Sequence, residues 1–360
     1  IVFGDWSSDV CSSDLFWHVD RQGDPLNPLF AILRARSTAA GQPVEVFTPL
    51  VPHTMDCTTA LPRVETLARG LTVLSAGAVP QCMYGPGRDD YLIELLDALK
   101  ARQPYLEGAK QVRWCGIAAS SLTGLMYGRA QADARYWREV KGWLRAFTEA
   151  HLPVELLSDA QLEAGDFEGL QVIALPATAC LSAEAQNQLR AFVDAGGGLL
   201  ATSVTSLTDE EGELGTQFGL EDILRTSFQR LEERGPLPMW WPLYPKAHQL
   251  AEGEWVEEAK WQQWSGLGHP LNGVGLPGRY VYTTPASDRQ VAWTIEGEQP
   301  AIFSGNFGAG KVVYFGPEVG AAYYNFGYPY LRQLMTEAAL MVAPRSEEHT
   351  SELQSPNTTS

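Results

Sequence analysis

The sequence predicts an α/β fold built around a doubly wound parallel sheet. Short β-rich runs alternate with amphipathic helical runs over most of the chain, an order typical of parallel β/α units. The connections between these runs are short. Hydrophobic residues make up 45% of the chain and charged residues 19%, which is a globular composition. At about 150 residues per domain, 360 residues suggest two or three domains.

Two β/α units come first. Residues 43–49 (PVEVFTP) form a β-rich run with proline at each end and predict a strand. Residues 61–77 carry apolar side chains at helical spacing and predict a helix. A second short strand is expected at 79–83 and a second helix at 89–106. Strand, helix, strand and helix in this order predict a parallel strand pair.

A second alternation starts near residue 111. Its first helix is amphipathic, and its last helix has Ser182 as a plausible N-cap and three glycines, 196–198, as its stop. The predicted elements are a strand at 112–120, a helix at 133–151, strands at 153–157 and 172–176, a helix at 185–193 and a strand at 199–203. Their order predicts the doubly wound sheet.

A tryptophan-rich segment, 237–267, interrupts this pattern. It holds five of the eleven tryptophans. Four further strands are expected after it, at 279–284, 291–296, 301–306 and 311–315. A helix at 328–342 closes the predicted fold.

Charge, hydropathy and cysteine count exclude several classes of protein. The formal charge of −17 repels phosphate backbones, so nucleic-acid binding is not expected. No apolar run approaches the roughly 18 residues of a membrane span, so no membrane partner is expected. Five cysteines do not make a disulfide framework, and we expect reduced thiols and a cytoplasmic location. The chain has no CxxC pair and its histidines are scattered, so neither a metal nor another cofactor is predicted.

Two glycine motifs resemble nucleotide-binding signatures. Residues 305–311 (GNFGAGK) match a phosphate-binding loop except at the last position, where Val312 replaces the required Ser or Thr. A strand follows instead of a helix, so we predict a hairpin turn. Residues 273–278 (GVGLPG) match the spacing of a dinucleotide fingerprint but precede a strand, and we interpret them as a loop.

Four residues are candidates for chemistry or binding. Cys180 lacks the flanking glycines of a nucleophile elbow, so a buried thiol is the favoured interpretation. Glu45, on a short predicted strand, is a candidate catalytic or sugar-contacting carboxylate, with ordinary charge pairing as the alternative. Trp240 and Trp241 are candidates for stacking on sugar rings, and packing between domains or subunits is the alternative.

Both ends of the chain differ from the rest. Residues 5–15 (DWSSDVCSSDL) and 345–355 (RSEEHTSELQS) are polar and serine-rich, without apolar periodicity. A DNA sequence coding for the second segment codes, on its reverse complement, for the first, and resembles a sequencing-adapter oligonucleotide. We interpret residues 1–15 and 345–360 as artefactual tails, and we predict that residues 5–15 and 345–360 pack against nothing.

Five stretches carry a resemblance to a known family. They are PVEVFTP (43–49), YLEGAKQVRWCGIAAS (105–120), LPATACLSAEAQNQLRAFVDAGGGLLATSVTSL (175–207), HPLNGVGLPGRYV (269–281) and GAGKVVYFGPEVGAAYYNFGYPYLRQLMTEAALMVA (308–343). Their order resembles the C-terminal part of a family 42-like β-galactosidase or of related hypothetical glycosyl hydrolases. In those proteins a TIM barrel precedes the β-galactosidase trimerisation domain, a flavodoxin-like module similar to class I glutamine amidotransferases.

The resemblance implies a fold and an organisation into domains. Residues 16–108 would be the last β/α units of a truncated TIM barrel, because a complete barrel takes about 250 residues. Residues 109–344 would be the trimerisation-like domain, with 237–267 as an insertion.

The resemblance also implies a function. The parent protein would be a glycoside hydrolase that takes a carbohydrate substrate and forms a homo-oligomer, expected to be a trimer. Its general acid would lie on a missing strand, and Glu45 would lie on the strand of the nucleophile. Hydrolysis with retention needs two carboxyl groups, so we expect this chain alone to be inactive. The alternatives are an amidotransferase-like hydrolase using Cys180 and a binding module.

Overall fold

The structure is a computed structural model, and it describes residues 26–39, 41–49, 62–83, 89–106, 108–234, 241–245, 274–276, 278–295 and 299–344. The chain divides into two compact units. The first comprises Ile1–Arg113 with Glu155–Ala160, and the second comprises Trp114–Val154 with Gln161–Ser360. The predicted tails at 1–15 and 345–360 lie outside the described residues, so their expected lack of packing stays a prediction.

The first unit contains two consecutive β/α units. Its elements are α1 (Leu26–Thr38), β1 (Glu45–Pro49), α2 (Arg63–Ser75), β2 (Val79–Met83) and α3 (Asp89–Leu106). Strands β1 and β2 pair in parallel, from Glu45 opposite Val79 to Pro49 opposite Met83. The two predicted strands and two predicted helices are therefore confirmed, whereas α1 was not predicted.

The core of the first unit is small. Val46 on β1, Val73 on α2 and Leu95 on α3 are fully buried. Other apolar side chains of the same helices face solvent, among them Val64 at 77% and Ile93 at 58% exposed. A two-stranded parallel sheet is rare on its own, because parallel strands normally have both faces covered.

The second unit is built on the larger sheet. The bounds of the strands are β3 Cys115–Ala118, β4 Val154–Leu157, β5 Val172–Leu175, β6 Gly198–Thr202, β8 Trp241–Pro245, β9 Val274–Leu276, β11 Gln290–Ile295, β12 Gln299–Phe307 and β13 Gly310–Phe315. The strand order of this sheet is β4-β3-β5-β6-β13-β12-β11-β8-β9. All of these strands lie in the second unit except β4, whose residues 155–157 belong to the first. The strands β3, β5, β6 and β13 run parallel, and β12 and β11 continue the sheet in antiparallel fashion. The alternation of strands and helices predicted for this region is confirmed.

A separate antiparallel pair joins β7 (Thr226–Arg234) to β10 (Gly278–Pro285). The helices are α4 (Arg138–Glu149), α5 (Asp159–Ala164), α6 (Ala183–Asp194), α7 (Glu221–Leu224), α8 (Val319–Phe326) and α9 (Pro329–Val342). Two π-helical turns, Thr123–Gly128 and Asp133–Trp137, precede α4. The helix predicted at 133–151 therefore begins as a regular α-helix only at Arg138. Among the helices of the described residues, none has the length and apolar character needed to cross a membrane.

The predictions for the two glycine motifs have different outcomes. Residues 305–311 do form a hairpin, in which Phe307 pairs with Gly310 and Gly308 takes a φ of +54°. The interpretation of residues 273–278 as a loop is wrong. Val274–Leu276 form β9 and Gly278 opens β10, because each short segment finds a partner strand elsewhere in the chain.

The helices α4 and α8 touch through two glycines. A Cβ atom on Gly142 would lie 1.8 Å from the carbonyl oxygen of Gly320, so only hydrogen fits there. Next to Gly142 on α4, Trp143 packs edge-on against Phe147 and Phe315, with ring centroids 5.5 and 5.6 Å away. This close approach brings the beginning of α8 against a carboxylate on α4.

Candidate functional site

Open α/β sheets bind ligands in the crevice beyond the carboxyl ends of their parallel strands. In this chain the corresponding segments begin at Ala119 after β3, Pro176 after β5, Ser203 after β6 and Gly316 after β13. A ligand site of this kind would therefore lie among the side chains that follow these four strands.

The crevice between β3 and β5 is filled by the chain itself. The Thr123 hydroxyl donates to the carbonyl of Cys180 at 3.3 Å and accepts from its backbone N–H at 3.2 Å. The Ser120 hydroxyl accepts from the N–H of Thr123 at 2.9 Å. All three residues are fully buried. The polar groups that would hold a ligand here are hydrogen-bonded to one another.

Cys180 is a buried thiol, as predicted. Its side chain is fully buried, and its Sγ lies 3.1 Å from the Thr208 hydroxyl. A nucleophilic cysteine needs contact with substrate and an electropositive, partly exposed setting. The surroundings of Cys180 provide no access to solvent, so this thiol is not placed for catalysis.

One residue in an elbow-like conformation is Ser203, which the sequence analysis missed. It follows β6 directly, has a φ of +48° and is fully buried. Its N–H donates to Phe315 and its carbonyl accepts from the Tyr314 hydroxyl, both at 2.7 Å. Among the described residues its own hydroxyl has no hydrogen-bond partner. Ser203 has the backbone strain of a nucleophile elbow without the access that a nucleophile needs.

A buried carboxylate, Glu139, lies beside this elbow. Its Oε1 accepts from the Trp143 indole and the Thr202 hydroxyl, both at 3.0 Å. Its Oε2 accepts from the backbone N–H of Ala321 at 2.6 Å, and the N–H of Gly320 also bonds to this carboxylate. Burial, and next the charge of Glu318, raise the pKa of Glu139 to about 7. Glu139 thus holds a proton far more readily than an ordinary glutamate does.

The second carboxylate, Glu318, forms a buried ion pair. Its Oε1 lies 2.6 Å from the guanidinium of Arg279, and both side chains are almost fully buried. Arg279 also donates to the Tyr127 hydroxyl at 2.7 Å and to the carbonyl of Arg135. Burial raises the pKa of Glu318 although Arg279 opposes this effect. The pair ties β10 to the segment before α8.

The sequence contained a signal for Glu139 but none for Ser203. Glu139 lies on the apolar face of α4, between the buried side chains of Tyr136 and Trp143. An acid at such a position has to be paired or protonated. The positive φ of Ser203 is imposed by the surrounding strands and has no counterpart in the local sequence.

None of the side chains described at this site is one of the predicted sugar-binding residues. Glu45 opens β1 in the first unit and is exposed. Trp240 lies outside the described residues, and Trp241 is the first residue of β8, with a side chain that the structure does not describe. Within the described residues, no group of three or more His, Cys, Asp or Glu side chains could hold a metal ion.

The fold and site define an α/β domain whose ligand-binding edge is closed by its own side chains. Residues 125–340 match the family described as the β-galactosidase trimerisation domain. Since this match spans more than half of the chain, the chain belongs to that family.

Three similar proteins are larger than this chain. The β-galactosidase BbgII of Bifidobacterium bifidum is 26% identical over 188 residues, which are 51% of this chain and 24% of BbgII. A β-galactosidase from Bacillus circulans sp. alkalophilus has a similar structure, with a TM-score of 0.66 and 12% identity, over 90% of this chain and 49% of that one. Gan42B, a GH42 β-galactosidase from G. stearothermophilus, gives a TM-score of 0.67 and 15% identity, over 93% of this chain and 49% of Gan42B. The chain thus spans a quarter to a half of the length of these relatives.

Proposed function

We propose that this chain is the C-terminal part of a β-galactosidase-like glycoside hydrolase, and that its second unit is a non-catalytic assembly domain. The proposal of a non-catalytic assembly domain rests on the sheet edge at the carboxyl ends of the parallel strands, which is filled by the chain's own side chains. Thr123, Cys180 and Glu139 fill that edge with buried hydrogen bonds made within the chain. An amidotransferase-like hydrolase would need the same edge open, so this alternative is disfavoured.

The proposed architecture is a flavodoxin-like domain after the end of a TIM barrel. The order β4-β3-β5-β6-β13 corresponds to the 2-1-3-4-5 order of flavodoxin-like sheets. In the first unit, β1, α2, β2 and α3 have the order of two successive barrel units. The solvent-facing side chains of Val64 and Ile93 support the view that further barrel elements would cover this unit.

For the parent protein we propose hydrolysis of β-galactosides or related sugars, and for this chain alone no hydrolysis. Glu45 is the candidate carboxylate for the sugar site. It stands at the amino end of β1, whereas barrel enzymes place their active sites at the carboxyl ends of their strands. This position favours ordinary charge pairing of Glu45 over sugar contact or nucleophilic attack.

The chain can be assayed on a panel of chromogenic β-galactosides, with Glu45→Gln as the matched variant. We expect no turnover above the buffer rate from either protein. Turnover that disappears in Glu45→Gln would refute the proposed inactivity. Restoring the upstream coding sequence should produce an active hydrolase, and an inactive full-length protein would refute the proposed activity.

The proposed partner of the second unit is another copy of the chain, in a trimer. Sedimentation velocity of the whole chain at micromolar concentration is the direct measurement. A single species of three times the chain mass is expected. A monomer over the whole accessible concentration range would refute the assembly function.

A further inference from the structure

Three aromatic rings form a ladder on the outside of the second unit. Phe326 ends α8, Tyr328 precedes α9 and Tyr330 lies in its first turn. The rings of Phe326 and Tyr328 stack with centroids 5.7 Å apart, and those of Tyr328 and Tyr330 with centroids 5.2 Å apart. Phe326 is 41% and Tyr328 38% exposed. Exposed aromatic clusters of this kind are enriched at protein interfaces.

The side chains next to this aromatic ladder are mainly basic. The Arg145 guanidinium packs beside Gly327, in the turn between the first two rings. Arg145 and Arg332 both pair with Glu149, at 2.8 and 3.2 Å, and Lys141 lies over the Tyr324 ring. Lys141 also pairs with Asp133 at 3.2 Å, so three cations accompany two acids here. This local excess of positive charge contrasts with the net charge of −17 of the chain.

A second surface has the opposite character. The loop after β6 carries Asp209, Glu210, Glu211 and Glu213, followed by Leu214, and all five are exposed. We call this loop, together with the neighbouring Leu125, the acidic patch. Leu214 is 48% and Leu125 71% exposed.

The loop of the acidic patch is held in place by hydrogen bonds, close packing and an ion pair. Asp209 and Glu213 exchange hydrogen bonds of 2.8 and 3.1 Å across the loop. A Cβ atom on Gly212 would lie 2.3 Å from the carbonyl oxygen of Met126, so the loop packs directly on the π-helical turn that carries Leu125. Arg129 at the end of that turn pairs with Glu213 at 2.7 Å.

We infer that the aromatic ladder of one copy docks on the acidic patch of the next copy. This inference rests on the proposed trimer. A ring of three copies needs two different, complementary surfaces on each copy, because a cyclic trimer cannot be built from a self-paired patch. The ladder offers aromatic rings with basic neighbours, and the patch offers two leucines with acidic neighbours. Pairing either surface with itself would bring like charges together.

Two variants of the full chain test this inference by sedimentation velocity. Tyr328→Asp places a negative charge in the ladder and a favourable N-cap residue on α9, so the helix should be retained. The double variant Glu210→Lys and Glu211→Lys reverses two exposed charges of the acidic patch. Each variant alone should sediment as a monomer at concentrations where the unchanged chain is a trimer.

Mixing the two variants gives the decisive result. Each retains one intact surface, so an equimolar mixture should form mixed dimers that neither variant forms alone. Self-paired surfaces would give no mixed species, which would overturn the inference. Raising the salt concentration should weaken the unchanged trimer, because opposite charges meet in the contact.

A control variant separates this inference from the proposed assembly itself. Leu340→Asp changes an exposed leucine at the far end of α9, outside both surfaces, and should leave the trimer intact. If the unchanged chain and both test variants are all trimers, the two surfaces are wrong while the assembly function stands. If the unchanged chain is a monomer, the proposed assembly and this inference both fail.

Discussion

Replacing Glu139 by glutamine should change how stability depends on pH. The carboxylate is fully buried and accepts hydrogen bonds from Trp143, Thr202 and Ala321. Glutamine has nearly the same shape but carries no charge. Its NH₂ group must face one of these donors, so the variant loses a hydrogen bond at every pH, a cost of about 1–3 kcal/mol.

The expected magnitude follows from the pKa of Glu139, which burial raises from 4.5 to about 7. A carboxyl group with a higher pKa in the folded chain than in the unfolded chain binds its proton more tightly when folded. The unfolding free energy therefore falls as the pH rises from 4.5 to about 7, and this contribution is constant above that range. Between pH 5 and pH 8 the loss amounts to about 2–3 kcal/mol.

Urea unfolding of both proteins at pH 5 and pH 8 measures this effect. The cost of Glu139→Gln should be about 2–3 kcal/mol smaller at pH 8 than at pH 5, because only the unchanged chain carries the buried charge at pH 8. Titrating groups other than Glu318, whose charge interacts with that of Glu139, cancel in the difference between variant and unchanged chain. A cost that is the same at both pH values would refute the raised pKa.

Asp222→Asn serves as a control, because the pKa of Asp222 is lowered where that of Glu139 is raised. Burial acts to raise the pKa of Asp222, but its hydrogen bonds with Arg190, of 2.8 and 3.1 Å, outweigh burial and lower the pKa. A lowered carboxyl pKa stabilises the folded chain at neutral pH and loses this effect as the pH falls below the ordinary value of 3.8. The cost of Asp222→Asn should therefore be the same at pH 8 and pH 5 and shrink only when the pH falls below 3.8, whereas the cost of Glu139→Gln already grows between pH 8 and pH 5.

Three further substitutions test the packing around this cluster by the same urea measurement. Gly142→Ala should cost about 1–3 kcal/mol despite the better helix propensity of alanine, since its Cβ would meet the carbonyl of Gly320; an unchanged midpoint would contradict the close contact of α4 and α8. Arg279→Met should cost about 3–5 kcal/mol, because it leaves Glu318 buried without its partner; a neutral effect would contradict the ion pair. Ser203→Ala should stabilise the chain by about 1 kcal/mol by removing an unpartnered buried hydroxyl, and a loss of stability would contradict that assignment.

The sequence predicts most of the parallel strands because their signals are local. The strand Val172–Leu175 is a continuous apolar run and is fully buried. The strand β7 was missed because its sequence, TSFQRLEER, is mostly polar and its pairing partner β10 begins 44 residues after it ends. The helix α8 was missed because its small residues and Gly320 carry no apolar period. Its position depends on the contact with Gly142, which is not local in sequence.

The features of the candidate site likewise fall into those that the sequence predicts and those that depend on distant parts of the chain. The burial of Cys180 could be predicted because it follows an apolar strand and has no glycine beside it. The strained conformation of Ser203 could not, since it results from hydrogen bonds to Phe315 and Tyr314 on another strand. Glu139 could have been found as an acid on an apolar helical face, but its donors Gly320 and Ala321 are about 180 residues away.

Glu139 occupies a natural anion site at this edge of the sheet. The N-terminus of a helix at the carboxyl edge is a natural anion site, because its free N–H groups and its dipole favour negative charge. In this chain the N–H groups of Gly320 and Ala321, at the start of α8, already bond to the Glu139 carboxylate. An anionic ligand would have to displace a buried side chain that also bonds to Trp143 and Thr202. Because the fold fills this anion site with its own carboxylate, the arrangement supports the proposal that the second unit acts through its outer faces, as an assembly domain would.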